Sequence, residues 1–154
     1  MVFGRVLSLL RRWRRSGAPA EPDPDDPSLV TVVRAFDDAE AASAVLARSP
    51  EWIEAAPAVL RHHLQLPEES VEHASELLKQ DGWRLRRAER AELPAEAAAC
   101  AAGTVALIAE RIQKLDPLHC SQESSRMAGL AQRLRGRAIG WEARQAPAAE
   151  RRGA

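Results

Sequence analysis

An α+β domain, with a four-stranded antiparallel sheet backed by two helices on one face, is the fold class this sequence predicts. Three observations predict it. Residues 57–86 read as strand, helix and strand with little slack. Residues 104–145 repeat that order. Each half closes on a glycine and a tryptophan-bearing strand, at Gly82-Trp83 and Gly140-Trp141. Two strand–helix–strand halves with short right-handed crossovers place both helices on one side of the sheet.

In the first half, Leu60, His62, Leu64 and Leu66 share one side of a period-two pattern, and Val59, Arg61, His63 and Gln65 share the other, which predicts a half-buried strand. Pro67 stands where a helix start accepts it, and Glu68 and Glu69 follow in the electropositive first turn. Val71, Ala74, Leu77 and Leu78 form an apolar stripe. Asp81-Gly82 ends that helix, with glycine supplying the left-handed residue. Trp83 and Leu85 then alternate with Arg84 and Arg86 as a second strand.

The second half begins with Thr104–Gln113, apolar on both faces at its start, as a third strand. Asp116-Pro117 offers a helix start and Ser121 a later one; Met127, Leu130, Ala131 and Leu134 form the stripe, and Gly136 ends the helix. Ile139, Trp141 and Ala143 alternate with Gly140, Glu142 and Arg144 as the last strand. The resulting βαββαβ order is the ferredoxin-like arrangement, which leaves its second sheet face available for pairing, including with another copy of the chain. Ahead of it, residues 28–48 are expected as one helix, although the β-branched run Val30-Thr31-Val32-Val33 also suits a strand. Residues 91–103 are expected as a loop or a short helical turn.

At 154 residues the chain accommodates one domain and tails. Its parts are a basic amphipathic leader over 1–15, a Pro/Asp-rich linker over 16–27, the α+β domain over 28–145, and a polar tail over 146–154. Phe3, Val6, Leu7, Leu10 and Trp13 oppose Arg5, Arg12 and Arg15 in the leader, the pattern of a peripheral membrane contact. The linker is rich in proline and acid and is expected to stay extended. Acidic and basic residues number 22 each, so net charge gives no sign of nucleic-acid binding. Cys100 and Cys120 have neither metal nor disulfide-framework spacing, and the expected compartment is cytoplasmic.

Phosphate-cradling glycine loops and the common hydrolase and metalloenzyme motifs are absent, and no cofactor is expected. His62 and His63 point to opposite faces of a strand, and His73 falls on the exposed side of its helix. His63, His119 and Cys120 are the residues from which a small-molecule or catalytic site could be assembled, but a small buried thiol and surface histidines are the simpler reading. Arginine rims at Arg84, Arg86, Arg87 and Arg90, and at Arg133, Arg135 and Arg137, suit an acidic protein partner. Direct RNA reading is not expected, because Trp83 and Trp141 share strand faces with Leu85 and Ile139 and should pack inward.

The runs R-H-H-L at 61–64, E-L-L-K-Q-D-G-W at 76–83 and M-A-G-L-A-Q-R-L-R-G-R-A-I-G-W-E at 127–142 resemble the regulator of ribonuclease E activity B family. The resemblance spans residues 28–145. It implies a ferredoxin-like protein that controls RNA processing through contact with a ribonuclease, without being an enzyme itself. Two features depart from the family pattern. Ile139 stands where the family has an aspartate before the closing Gly-Trp, and the chain is neutral where the best-known members are strongly acidic. The candidate partner-binding residues are Arg61, His63, Arg84, Arg86, Arg87, Arg135, Arg137 and Glu142. A small-molecule-binding or enzymatic domain is the alternative.

Overall fold

The computed structural model describes residues 20–151, and the leader over 1–15 lies outside them. The elements are strands β1 (Val30–Ala35), β2 (Ala58–Pro67), β3 (Arg84–Arg87), β4 (Thr104–Gln113) and β5 (Arg137–Gln145), with helices α1 (Ala42–Ala47), α2 (Val71–Lys79), α3 (Pro117–Arg133) and the short α4 (Ala148–Arg151). All five strands form one antiparallel sheet in the order β1-β5-β2-β4-β3. The fold is α+β.

The fifth strand corrects the expected single helix over 28–48. Val30–Ala35 pairs along β5, from Val30 opposite Gln145 to Ala35 opposite Trp141, and only Ala42–Ala47 is helical. The β-branched run decides the outcome, since its side chains fit a pleated surface and β5 would otherwise present an unpaired edge. Val33 and Ala35 join the helix-side core, while Phe36, just past the strand, meets the His63 ring at 5.7 Å on the other side.

Helices α1, α2 and α3 supply Val45, Leu46, Ala74, Leu78, Cys120, Met127, Leu130 and Ala131 to the main core. The sheet answers with Leu60, Leu64, Leu66, Leu107, Ala109, Trp141 and Ala143. Helix α3 starts where Asp116-Pro117 predicts: the Asp116 carboxylate accepts from the His119 backbone N–H at 2.9 Å, with Pro117 in the first turn.

The expected half-buried character of β2 is overturned, because Ala58 through Leu66 is buried without interruption. The face away from the helices, carrying Val59, Arg61, His63 and Gln65, is roofed by the β3–β4 connection. That connection makes short 3-10 turns at Arg90–Glu92 and Ala95–Ala97. Gln65 donates to the carbonyls of Ala97 and Ala99, at 3.4 and 2.8 Å, and pins the roof to the strand. The second face is therefore not an open sheet surface.

Both long helices end in the same hydrogen-bonded turn. After α2, Trp83 N donates to the Leu78 carbonyl and Gly82 N to that of Lys79, with Gly82 left-handed at φ 79°. After α3, Gly136 N donates to Ala131 and Arg135 N to Gln132, and here the left-handed residue is Arg135 at φ 61°. Gly136 has a different role from the expected helix stop. A β-carbon there would lie 2.2 Å from the Gln65 carbonyl oxygen and 2.6 Å from Leu66 Cδ2. Nor are Gly82 and Gly140 equivalent, since Gly140 lies inside β5 opposite His63, beside a register shift. Gly136→Ala should lower stability by about 1–3 kcal/mol through overpacking. Arg135→Gly should leave stability unchanged or raise it, because it relieves a left-handed non-glycine residue. Urea melts of both variants check this, and the opposite order would contradict it.

Trp83 and Trp141 are both buried, and they converge on His62, with ring centroids at 5.4 and 6.4 Å. The Arg111 guanidinium covers the Trp83 ring at 4.4 Å. Burial, with the nearby charges of His63 and Arg111, lowers the His62 pKa from 6.5 to about 3. The unfolded chain therefore binds a proton here across that window and the folded chain does not, so stability falls as pH falls. The slope is about 1.4 kcal/mol per pH unit. His62→Phe should remove this one-proton slope between about pH 6 and pH 4. Denaturation midpoints that fall in parallel with the parent's across that range would show that His62 is not its source.

Candidate functional site

The roofed face is built by alternation. Register pairs Arg84 with Glu110, Glu110 with Arg61, and Arg61 with Glu142, and Arg34 also lies opposite Glu142. Charged side chains from all five strands thus fall in one row, perpendicular to the strands.

Glu110 is the hub of this row. Its side chain is 1% exposed. It accepts from Arg61 Nε at 3.0 Å on one oxygen, and from Arg84 Nε at 2.8 Å and Arg86 Nε at 3.1 Å on the other. Arg86 also grips Glu92 with both terminal nitrogens, at 2.7 and 2.8 Å. Glu92 closes its own turn by accepting from the Glu89 backbone N–H at 2.9 Å. The Arg86 hydrogen bonds come first among the causes that hold the Glu92 carboxyl down at about 2. Arg84 and Arg86 are held more firmly protonated than usual, Arg84 by Asp25 and then Glu110, and Arg86 by Glu92 and then Glu110.

Beside the hub, Thr31, Arg34, Arg61, Glu92, Glu142 and Arg144 line a cavity of about 290 Å³. Among the described residues no carboxylate lies within ion-pair distance of Arg144, which donates instead to the Leu29 carbonyl. Burial and the neighbouring Arg61 lower its pKa. The Glu142 carboxylate sits 3.6 Å from His63 Nε2, and both His63 ring nitrogens lack a hydrogen-bond partner among the described residues.

Of the residues singled out from sequence, Arg61, His63, Arg84, Arg86 and Glu142 come together on this face. Arg87 does not: it turns to the helix side and pairs with Glu68 beside α2. Arg135 lies at the end of α3. Arg137 lines a separate groove with His62, Ser124, Ser125 and Gln132. His63 and His119 are on opposite sides of the sheet, and the exposed His119 pairs with Asp116. Burial, reinforced by Glu123, pushes the Cys120 thiol up to about 12. The His63/His119/Cys120 constellation is therefore not assembled. No group of three or more metal-ligating side chains is placed to hold a metal among the described residues.

Sequence reasoning missed Asp25, Arg34, Glu92, Glu110 and Arg144. Glu110 carried a usable signal, because a lone acid inside an apolar strand requires cationic neighbours once buried. No helix among the described residues is long and apolar enough to cross a membrane. No family model, curated protein or solved structure matches the chain.

Glu110→Gln removes the carboxylate nearest the buried Arg61, leaving only the longer contact to Glu92 at 3.4 Å, and should cost about 3–5 kcal/mol. Arg84→Gln removes a half-exposed guanidinium and leaves Glu110 still paired with Arg61 and Arg86, so it should cost less, about 1 kcal/mol. Urea denaturation of the two variants tests the asymmetry; similar losses would show that Glu110 is not the hub.

Proposed function

We propose that this chain is a non-catalytic, protein-binding regulatory module with a ferredoxin-like core, similar to the regulators of ribonuclease E activity. It acts in the cytoplasm by contact with a ribonuclease or its assembly. Support for the core comes from the strand order β5-β2-β4-β3, which is the ferredoxin-like order with β1 added at one edge.

The observation that carries the binding role is the row of guanidinium groups fixed by Glu110. Arg61 is buried, the Arg84 side chain is 46% exposed, and beside them on the same face the Arg34 side chain, paired with Glu96 and not with Glu110, is 52% exposed. Fixed forks of this kind match carboxylates in two-point geometry and lose little freedom on binding. The complementary surface is acidic protein. A neutral chain with an ordered arginine face reverses the charge roles of an acidic inhibitor on a basic enzyme.

The test is binding of the full chain to purified ribonuclease E of the same organism, with RNA cleavage followed in parallel. Binding and suppression of cleavage are expected, with about a tenfold loss of affinity in the exposed charge-reversal variant Arg34→Glu. Absence of both binding and suppression would overturn the reading, as would turnover of a small-molecule substrate by the chain itself.

A further inference from the structure

The arginine face already holds an acidic peptide, supplied by the chain itself. Asp25 places its two carboxylate oxygens on the terminal nitrogens of Arg84, at 2.7 and 3.1 Å, and the Pro24 carbonyl accepts from Arg61 at 3.3 Å. The segment is preformed for this. Asp26 N donates to the Asp23 carbonyl at 3.0 Å, and Asp25 N to the Asp23 carboxylate at 2.9 Å. Ser28 N then donates to the Asp26 carboxylate at 2.8 Å. Around these contacts the sequence is E-P-D-P-D-D-P over 21–27, acid alternating with proline.

We infer that residues 21–27 are a resident competitor on a binding surface for acidic peptides in this turn conformation, and that a partner's acidic segment displaces them. The inference rests on the protein-binding reading above and names the chemistry of the partner segment.

Three features make the segment a competitor and not merely a structural strap. First, the receptor does not depend on it: Arg84 is also held by Glu110, and Arg61 by Glu110 and Glu92. Second, the contact is exchangeable. Asp25 and Arg84 are 69% and 46% exposed, and pairs this open to water are weak and screened by salt. Third, everything the face recognises is generic to an acidic peptide: one carboxylate in a two-point clasp and one peptide carbonyl. A second chain with acid at the same spacing reproduces both. The Arg84 hydrogen bond also lowers the Asp25 pKa, so the resident carboxylate is ionised at neutral pH.

The experiment uses the full chain, its Asp25→Asn variant, and a fluorescent synthetic peptide of sequence E-P-D-P-D-D-P read by anisotropy. A docked intramolecular competitor scales apparent affinity by the fraction of time the face is free, so Asp25→Asn, which removes a weak exposed pair, should bind the peptide about threefold more tightly than the parent. Binding should weaken with added salt. In the Asp25→Asn background, Arg84→Gln should abolish binding, and Arg84→Lys should restore part of it through charge without the fork. Thermal melts establish that each variant is folded. Equal peptide affinity for parent and Asp25→Asn would overturn the inference, as would binding unaffected by Arg84→Gln. Preference of Asp25→Asn for a labelled single-stranded RNA over the peptide would also overturn it, in favour of nucleic acid. The two readings fail separately. Peptide binding gained in Asp25→Asn without ribonuclease binding removes the named partner alone; ribonuclease binding that is equal in both, without peptide binding, removes the competitor alone.

Discussion

Glu110 is one carboxylate, in the buried stretch Leu107–Glu110 of β4, that receives the Nε groups of three arginines. An ionised acid in that position is unaffordable alone, because desolvation exceeds what one neutral hydrogen bond returns. With three guanidinium groups converging on it, the charge is compensated and its acceptor sites are filled. The same bonds fix the arginines. Arg61, Arg84 and Arg86 come from β2 and β3, the two strands that flank β4, so the hub ties side chains across the sheet where backbone bonds already tie the strands.

Everything on that face follows from the hub. An antiparallel sheet with helices on one side has a second face to satisfy, and here it is satisfied by charge instead of a second apolar layer. The roof over 88–103 carries Glu92 to Arg86 and brackets Gln65 with the carbonyls of Ala97 and Ala99. Phe36 fills the space that Gly140 leaves beside His63; a β-carbon on Gly140 would come within 2.4 Å of the Phe36 ring. The helix-side core is conventional by comparison, leucine and alanine around two tryptophans and a neutral histidine. The two faces divide the work: one holds the fold by apolar burial, and the other displays ordered cations at its rim.

Much of the helix-side architecture was legible. The bounds of β4 coincide with the expected strand Thr104–Gln113, and the Asp116-Pro117 start of α3 is capped as its residue types require. These signals are local, and local chemistry decided them. The β1 strand was ambiguous because Val30–Val33 satisfies either periodicity, and pairing with β5, a contact more than a hundred residues away in sequence, settles it. The burial of Arg61, His63 and Gln65 was not legible. Polar residues alternating with leucine read as a wet strand face, and nothing in the period-two pattern says that a loop will cover it. The end of α2 at Gly82 was legible, while the end of α3 misled for a related reason. Gly136 is glycine because the Gln65 carbonyl approaches it closely, while the left-handed turn is made by Arg135.

Three arginine side chains are immobilised on one buried carboxylate. Arginine Nε–H resonances in a nitrogen-resolved NMR spectrum report this directly. Separate, slowly exchanging Nε–H signals are expected for Arg61, Arg84 and Arg86, all lost or collapsed to the solvent-averaged position in Glu110→Gln while the rest of the spectrum stays dispersed. Averaged, rapidly exchanging signals for all three in the parent chain would contradict it.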